Sequence, residues 1–161
     1  MVLEDATIKE LFEFGESVTQ EELRYFDDFR VDFLVKHGIY IKGIKIGDKL
    51  AGIGGIYKTH GINSAFYMVK REFQGRGIGN YITKNNIGYA KRYNIPLLFY
   101  ICSNDNAPMI KSVKKYGDKE VLNYKDKRYS YLPITFKGKI IGLFLPLAVR
   151  VYVLIKNRRE S

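Results

Sequence analysis

The sequence predicts an α/β (α+β) fold, a mixed, mostly antiparallel central sheet flanked by helices on both faces. Three observations lead there. Residues 39–47 alternate, 50–57 read as a second strand, and Gly47-Asp48-Lys49 turns between them, the pattern of a hairpin. Residues 66–82 begin as a β-branched and aromatic run, pass through Gln74-Gly75-Arg76-Gly77-Ile78-Gly79, and continue with apolar residues at helical spacing. Residues 97–102 are a continuous apolar run, as in a strand buried on both faces, and a helix start follows them. An antiparallel opening with a later strand-helix-strand crossover makes the sheet mixed.

The elements follow in order. Ile8, Leu11 and Phe12 predict a short helix over 5–14, broken by Gly15. Thr19-Gln20-Glu21-Glu22 is a capping box, and Leu23, Phe26, Phe29 and Phe33-Leu34 carry its helix to a stop at His37-Gly38. After the hairpin comes a third strand, 64–70, then the glycine turn and a helix to about Tyr93. Asn94-Ile95-Pro96 leads into strand 97–102. Ser103 to Pro108 is a polar cap with an early proline, starting a helix through Met109, Ile110, Val113 and Tyr116 to Gly117. Residues 120–124 and 128–134 form a last hairpin around Lys125-Asp126-Lys127.

At 161 residues, 46% hydrophobic and 27% charged, the chain reads as one globular domain rather than a disordered one. Its one cysteine, Cys102, permits no internal disulfide, which suits a reducing compartment. The first residues are acidic at Glu4 and Asp5, without a signal-peptide pattern, and the expected location is cytoplasmic. The net charge is +10, but the basic residues are spread along the chain, so solvated lysines are favoured over a nucleic-acid surface. His37 and His60 have no ligand partner at metal spacing, so no metal site is expected. His60 reads as a solvated loop residue, and Cys102 as a small core residue with no base beside it.

The glycine turn carries the chemistry. Glycines at a strand-to-helix turn can present consecutive backbone N–H groups, and the helix N-terminus adds partial positive charge, so the turn suits a phosphate or pyrophosphate. It is neither a G-x-G-x-x-G fingerprint nor a Gly-Lys-Ser/Thr loop. The order Gln-x-x-Gly-x-Gly after a strand ending in Val69 resembles the acyl-coenzyme A loop of the GCN5-related N-acetyltransferases. A second motif agrees: the helix of Asn106-Ala107-Pro108 to Tyr116-Gly117, one helix and one strand later, is similar to that family's Asn-x-Pro helix. The resemblance spans about residues 39–134.

The resemblance implies the rest. Gln74, Gly75, Arg76, Gly77, Ile78 and Gly79 match the loop whose amides hold the cofactor pyrophosphate, and Met68 and Val69 match the strand end that pairs with the pantetheine arm. Asn106 matches the asparagine that reaches the arm, and the thioester is expected between strands 64–70 and 97–102. A backbone N–H near Val69 is expected as oxyanion donor. The chain departs from the family at Val113, where an acid tyrosine is usual, at Ser112 and at Asp118. Tyr116 or Ser112 is the substitute acid, although Tyr116 also reads as the ordinary apolar residue before a glycine.

The implied activity is transfer of an acetyl (acyl) group from acetyl-coenzyme A to a primary amine, on a small molecule or peptide, in a ternary complex. The alternatives are a non-catalytic acyl-coenzyme A-binding module and a basic membrane- or nucleic-acid-associated protein. Residues 1–135 are the expected acyltransferase domain and 136–161 an apolar extension. Within it, Ile140 to Ile155 is almost wholly apolar, broken by Pro146 and Arg150, and too short to span a bilayer. It has three readings, in order of preference: packing on the domain, a homodimer interface, or peripheral membrane contact through 140–159.

Overall fold

Four antiparallel strands organise the first part of the chain: β1 (Val2–Asp5), β2 (Gly38–Ile46), β3 (Lys49–Thr59) and β4 (Ile62–Val69), paired in that order. The computed structural model describes residues 2–18 and 31–160. Its contacts fall into two units, Met1–Tyr89 and Ala90–Ser161. The predicted hairpin is β2–β3, with Ile46 opposite Lys49 around the Gly47-Asp48 turn. A second tight turn, His60-Gly61, joins β3 to β4, and exposed His60 sits there at φ 49°.

Strand β1 was not expected. Four residues are too few to show a period, and the strand exists through its pairing, Val2 opposite Lys45 to Asp5 opposite Lys42. Ion pairs follow that register: Lys42 with Asp5, and Lys45 with Glu4 at 3.0 Å.

Helix α1 (Ile8–Ser17) starts later than the expected 5–14 and passes through Gly15. Thr7 is the cap: its Oγ1 accepts from the Glu10 N–H at 3.2 Å, while the Glu10 carboxylate accepts from the Thr7 N–H at 2.9 Å. Gly15 lies in the last turn, where a glycine costs at most about 1 kcal/mol. Burying Phe14 recovers about 1.5–3 kcal/mol, and Leu11 and Val18 are buried beside it, so packing overrides the breaker. Helix α2 (Val31–His37) stops where expected. The Thr19–Glu22 box, Leu23, Phe26 and Phe29 lie outside the described residues.

This sheet is covered on both faces, as the fold class requires. Leu11, Phe14 and Leu34 pack with Ile53, Phe66 and Met68. Ile78 and Ile82 of α3 (Ile78–Arg92) pack with Ile44, Tyr67 and Val69. Met68 alternates with Tyr67 and Val69, so the two clusters occupy opposite faces. Gly54 lets α3 come close: a Cβ there would stand 2.3 Å from Ile82 Cγ2 and 2.9 Å from the Phe66 carbonyl oxygen. Buried Asn86, also on α3, donates its Nδ2 to the carbonyls of Gly55 at 3.2 Å and Phe66 at 3.4 Å.

The second unit holds β5 (Leu97–Ser103), β6 (Lys119–Tyr124) and β7 (Lys127–Pro133), antiparallel, with β7 in the middle. Strand β5 was expected to be buried on both faces. Leu97 to Tyr100 and Cys102 are buried, but Ile101 is 44% exposed. Helix α4 (Ala107–Lys114) ends three residues before Gly117, which takes φ 83°. The tail is helix α5 (Phe136–Glu160), whose Leu145 and Val149 pack with Leu97, Phe99, Val121 and Tyr131. Among the described residues no helix is long and apolar enough to cross a membrane.

Candidate functional site

Strand β4 runs into a single 3-10 turn, Arg71–Phe73, and then into the glycine loop. Phe73 and Ile78 are both buried, in the same apolar cluster with Ile82 and Ile44. The four residues between them, Gln74 to Gly77, are exposed. Two core anchors therefore hold a short exposed arch, which fixes its position without filling the space above it.

Gly75 and Gly77 stand at φ 76° and 78°, and a Cβ on either would meet nothing within 4 Å. The space is open, but side chains other than glycine rarely adopt that backbone. The first helical bond of α3 is from the Tyr81 N–H to the Gly77 carbonyl at 3.0 Å. The N–H groups of Ile78 and Gly79 precede that ladder and lie at the positive end of the helix dipole. An exposed arch that ends at the positive pole of a helix fits a pyrophosphate.

Two side chains brace the arch from within. Gln74 Nε2 donates to the Val69 carbonyl at 3.1 Å. Arg76 Nη2 donates to the Glu72 carbonyl at 3.3 Å, and its guanidinium lies 5.4 Å from the Phe73 ring centroid. Neither brace was visible in the sequence, where both residues were read only as loop positions. Met68 is buried and Val69 half-buried at the end of β4. The Lys70 N–H donates to the Ala51 carbonyl at 3.0 Å. That donor is committed to the sheet, which narrows the expected oxyanion donor near Val69 to other groups.

In the second unit, Asn106 caps α4: its Oδ1 accepts from the Met109 N–H at 3.2 Å. The carboxamide keeps Nδ2 as its donor side. Val113 is wholly buried, Ser112 is half-buried on the same helix, and Tyr116 is half-buried beyond the helix end. The Tyr116 N–H bonds to the Val113 carbonyl at 3.0 Å, a tighter turn than the helical continuation expected from the sequence.

The side chain of Asp118, noted in the sequence only as a departure from the family, is fully covered. It accepts from Arg128 Nη2 at 2.6 Å. Arg128 also donates to Glu120 at 3.1 Å and to Ser130 Oγ at 2.9 Å. These residues meet across the β6–β7 hairpin, and its predicted turn was the only available signal. Cys102, opposite Arg128, is buried, and burial pushes its thiol up from the ordinary range. A protonated thiol is a poor nucleophile, as a core residue can be. Among the described residues no cluster of His, Cys, Asp or Glu could hold a metal ion.

The model of the acetyltransferase (GNAT) family matches residues 4–118. None of the curated proteins matches in sequence. Solved structures do match in fold. The ribosomal-protein-S18-alanine N-acetyltransferase of Escherichia coli is 17% identical, with 84% of this chain and 94% of that one covered, at a TM-score of 0.68. The yncA protein of Salmonella typhimurium, solved with its cofactor acetyl-CoA, is 14% identical over 84% of this chain and 94% of that one, at 0.67. A Bacillus subtilis acetyltransferase in complex with CoA is 18% identical over 83% and 97%, at 0.64. The match over 4–118 takes in the arch after β4 and the Asn-capped α4, and by it this chain belongs to the GNAT family of acetyltransferases.

Proposed function

We propose that this chain transfers an acetyl group from acetyl-coenzyme A to a primary amine by direct attack in a ternary complex. The observation that carries the reading is the arch itself, Gly75 and Gly77 in left-handed backbone ahead of the α3 N-terminus. Acetyl-coenzyme A is the acetyl donor of the family, and it supplies an activated thioester. In this reading the arch from Gln74 to Gly79 binds the pyrophosphate, and Met68 and Val69 offer β4 backbone to the pantetheine arm. Asn106 donates to the arm through Nδ2.

The chemistry asks little else of the protein. The amine must be neutral to attack; its nitrogen–carbon bond forms as the carbon–sulfur bond breaks, the nitrogen gives up a proton to a base or a water chain, and the departing thiolate takes a proton. Ser112 and Tyr116 are the proposed proton donors, since Val113 carries none. Holding amine and thioester in line supplies the remainder. The acceptor is proposed as an amine on a small molecule or peptide. Two such acceptors appear in the names of fold neighbours, ribosomal-protein S18 alanine and phosphinothricin. Those names belong to those proteins.

Titration of the protein with coenzyme A by calorimetry tests the arch. Gly77→Val places a branched side chain at φ 78°, which costs at least ~1–2 kcal/mol, and the expected loss of affinity is about 10-fold or more. Unchanged affinity overturns the loop assignment. Acetylation of an amine panel, with Ser112→Ala and Tyr116→Phe compared at saturating cofactor, tests the proton donors; kcat unchanged in both removes them.

A further inference from the structure

Helix α5 is apolar on two opposite sides. Gly142, Leu145 and Val149 face the strands of the second unit and are buried. Phe136, Leu143, Phe144 and Leu147 are 76%, 75%, 70% and 70% exposed, and Ile140 and Val151 are about half exposed. At ~100° per residue these six side chains form one stripe centred opposite the buried side. Contiguous apolar surface of this kind on a folded chain marks a contact surface.

The charges around the stripe have one sign. Lys139 and Arg150 lie along one border and Lys137 along the other, and no acidic residue occurs from 136 to 159. Lys156, Arg158 and Arg159 follow on the same helix. We propose that this stripe docks the protein on an anionic lipid surface. The helix lies in the plane of the interface, with Phe136, Leu143, Phe144 and Leu147 at the acyl boundary. Lys137, Lys139 and Arg150 extend to headgroup phosphates.

A second copy of the chain fits the stripe less well. Antiparallel pairing sets Lys137 and Lys139 against the basic end of the partner helix, and parallel pairing sets Arg150 against Arg150, so like charges meet either way.

Flotation of the full chain with two vesicle types tests the proposal: phosphatidylcholine alone, and phosphatidylcholine with phosphatidylglycerol. The expected result is co-flotation with the anionic vesicles only, weakened by high salt. The K137Q/K139Q/R150Q variant should partition on the order of 100-fold less. Leu143→Ser with Leu147→Ser should also lose binding, and circular dichroism checks that both variants stay folded. Because the wild-type comparison between vesicle types needs no variant, it decides the matter if either fails to fold. Absence from both vesicle types, or equal binding to both, overturns the proposal. So does a concentration-dependent dimer in sedimentation that binds no vesicles, which would assign the stripe to a second copy.

Discussion

The Gln74 carboxamide donates to the Val69 carbonyl at 3.1 Å, tying the first residue of the glycine arch to the last residue of β4. The strand end and the arch are the two parts proposed to hold the pantetheine and the pyrophosphate, so this bond sets the spacing between them. A hydrogen bond of this type is worth roughly 0.5–1.5 kcal/mol net. Gln74→Leu should therefore raise the Kd for coenzyme A about 2- to 10-fold in calorimetry, with little change in Tm because Gln74 is exposed. An unchanged Kd would mean that the brace plays no part in binding.

Gly54 tests the packing beneath that arch. A side chain there runs into Ile82 Cγ2 and into the Phe66 carbonyl. One of these obstacles is backbone and cannot swing aside. Gly54→Val should destabilise the fold by about 1–3 kcal/mol in chemical denaturation, while Gly47→Ala in the exposed β2–β3 turn meets no neighbour and adds only the backbone strain of a left-handed residue, about 1–2 kcal/mol. Equal stability of Gly54→Val and wild type would show that α3 can retreat from the sheet at no cost.

Asp118 and Arg128 form a pair with the Asp118 side chain fully covered and Arg128 only 4% exposed. Asp118→Ala leaves the buried Arg128 with the half-exposed Glu120 carboxylate and an unpaired Nη2, so it should cost about 1–3 kcal/mol. Replacing both, as Asp118→Leu with Arg128→Met, should recover much of that loss. Urea denaturation of the two variants gives the comparison, and a double variant as unstable as the single one would refute the pairing argument.

Glu10 gives a pH signature. The Lys45 ammonium at 2.7 Å, followed by the Thr7 backbone, holds its carboxyl at about 2, below its ordinary 4.5. The folded value is depressed, so the stabilisation is complete above the unfolded value near 4.5 and is lost as pH falls toward 2. Tm should decline across that window in wild type, and Glu10→Gln should flatten part of the decline. Added salt should reduce the effect, since the partners lie near the surface. An identical pH profile in the variant would show that the Glu10 carboxylate adds nothing.

Local signals carried much of the fold. The Gly47-Asp48 turn, the strand-glycine-helix passage at 66–82 and the Asn106–Pro108 cap are short-range features, written in residues that touch one another along the chain. They placed β2 to β4, α3, β5 and α4 within a few residues. Strand β1 and the passage of α1 through Gly15 were not legible, because each depends on distant partners: the register with β2 in one case, the burial of Phe14 and Val18 in the other. The end of α4 was read two residues late for a related reason. Tyr116 fits a helical period, but its N–H turns to Val113.

At the candidate site, the glycines marked a phosphate loop from sequence because their requirement is local, a backbone that other residues avoid. Its bracing was decided only by tertiary structure: Phe73 and Ile78 share a core, and Gln74 reaches back to Val69. Asp118 likewise read as an anomaly until folding brought Arg128 to it across a hairpin. The tail shows the division most plainly. Composition made 140–155 apolar, and that much was certain from the residues. Which side of the helix meets the strands, and which side is left to solvent with lysines and an arginine along its edges, follows from the packing of Leu145 and Val149, because burial is a property of neighbours in space rather than in sequence.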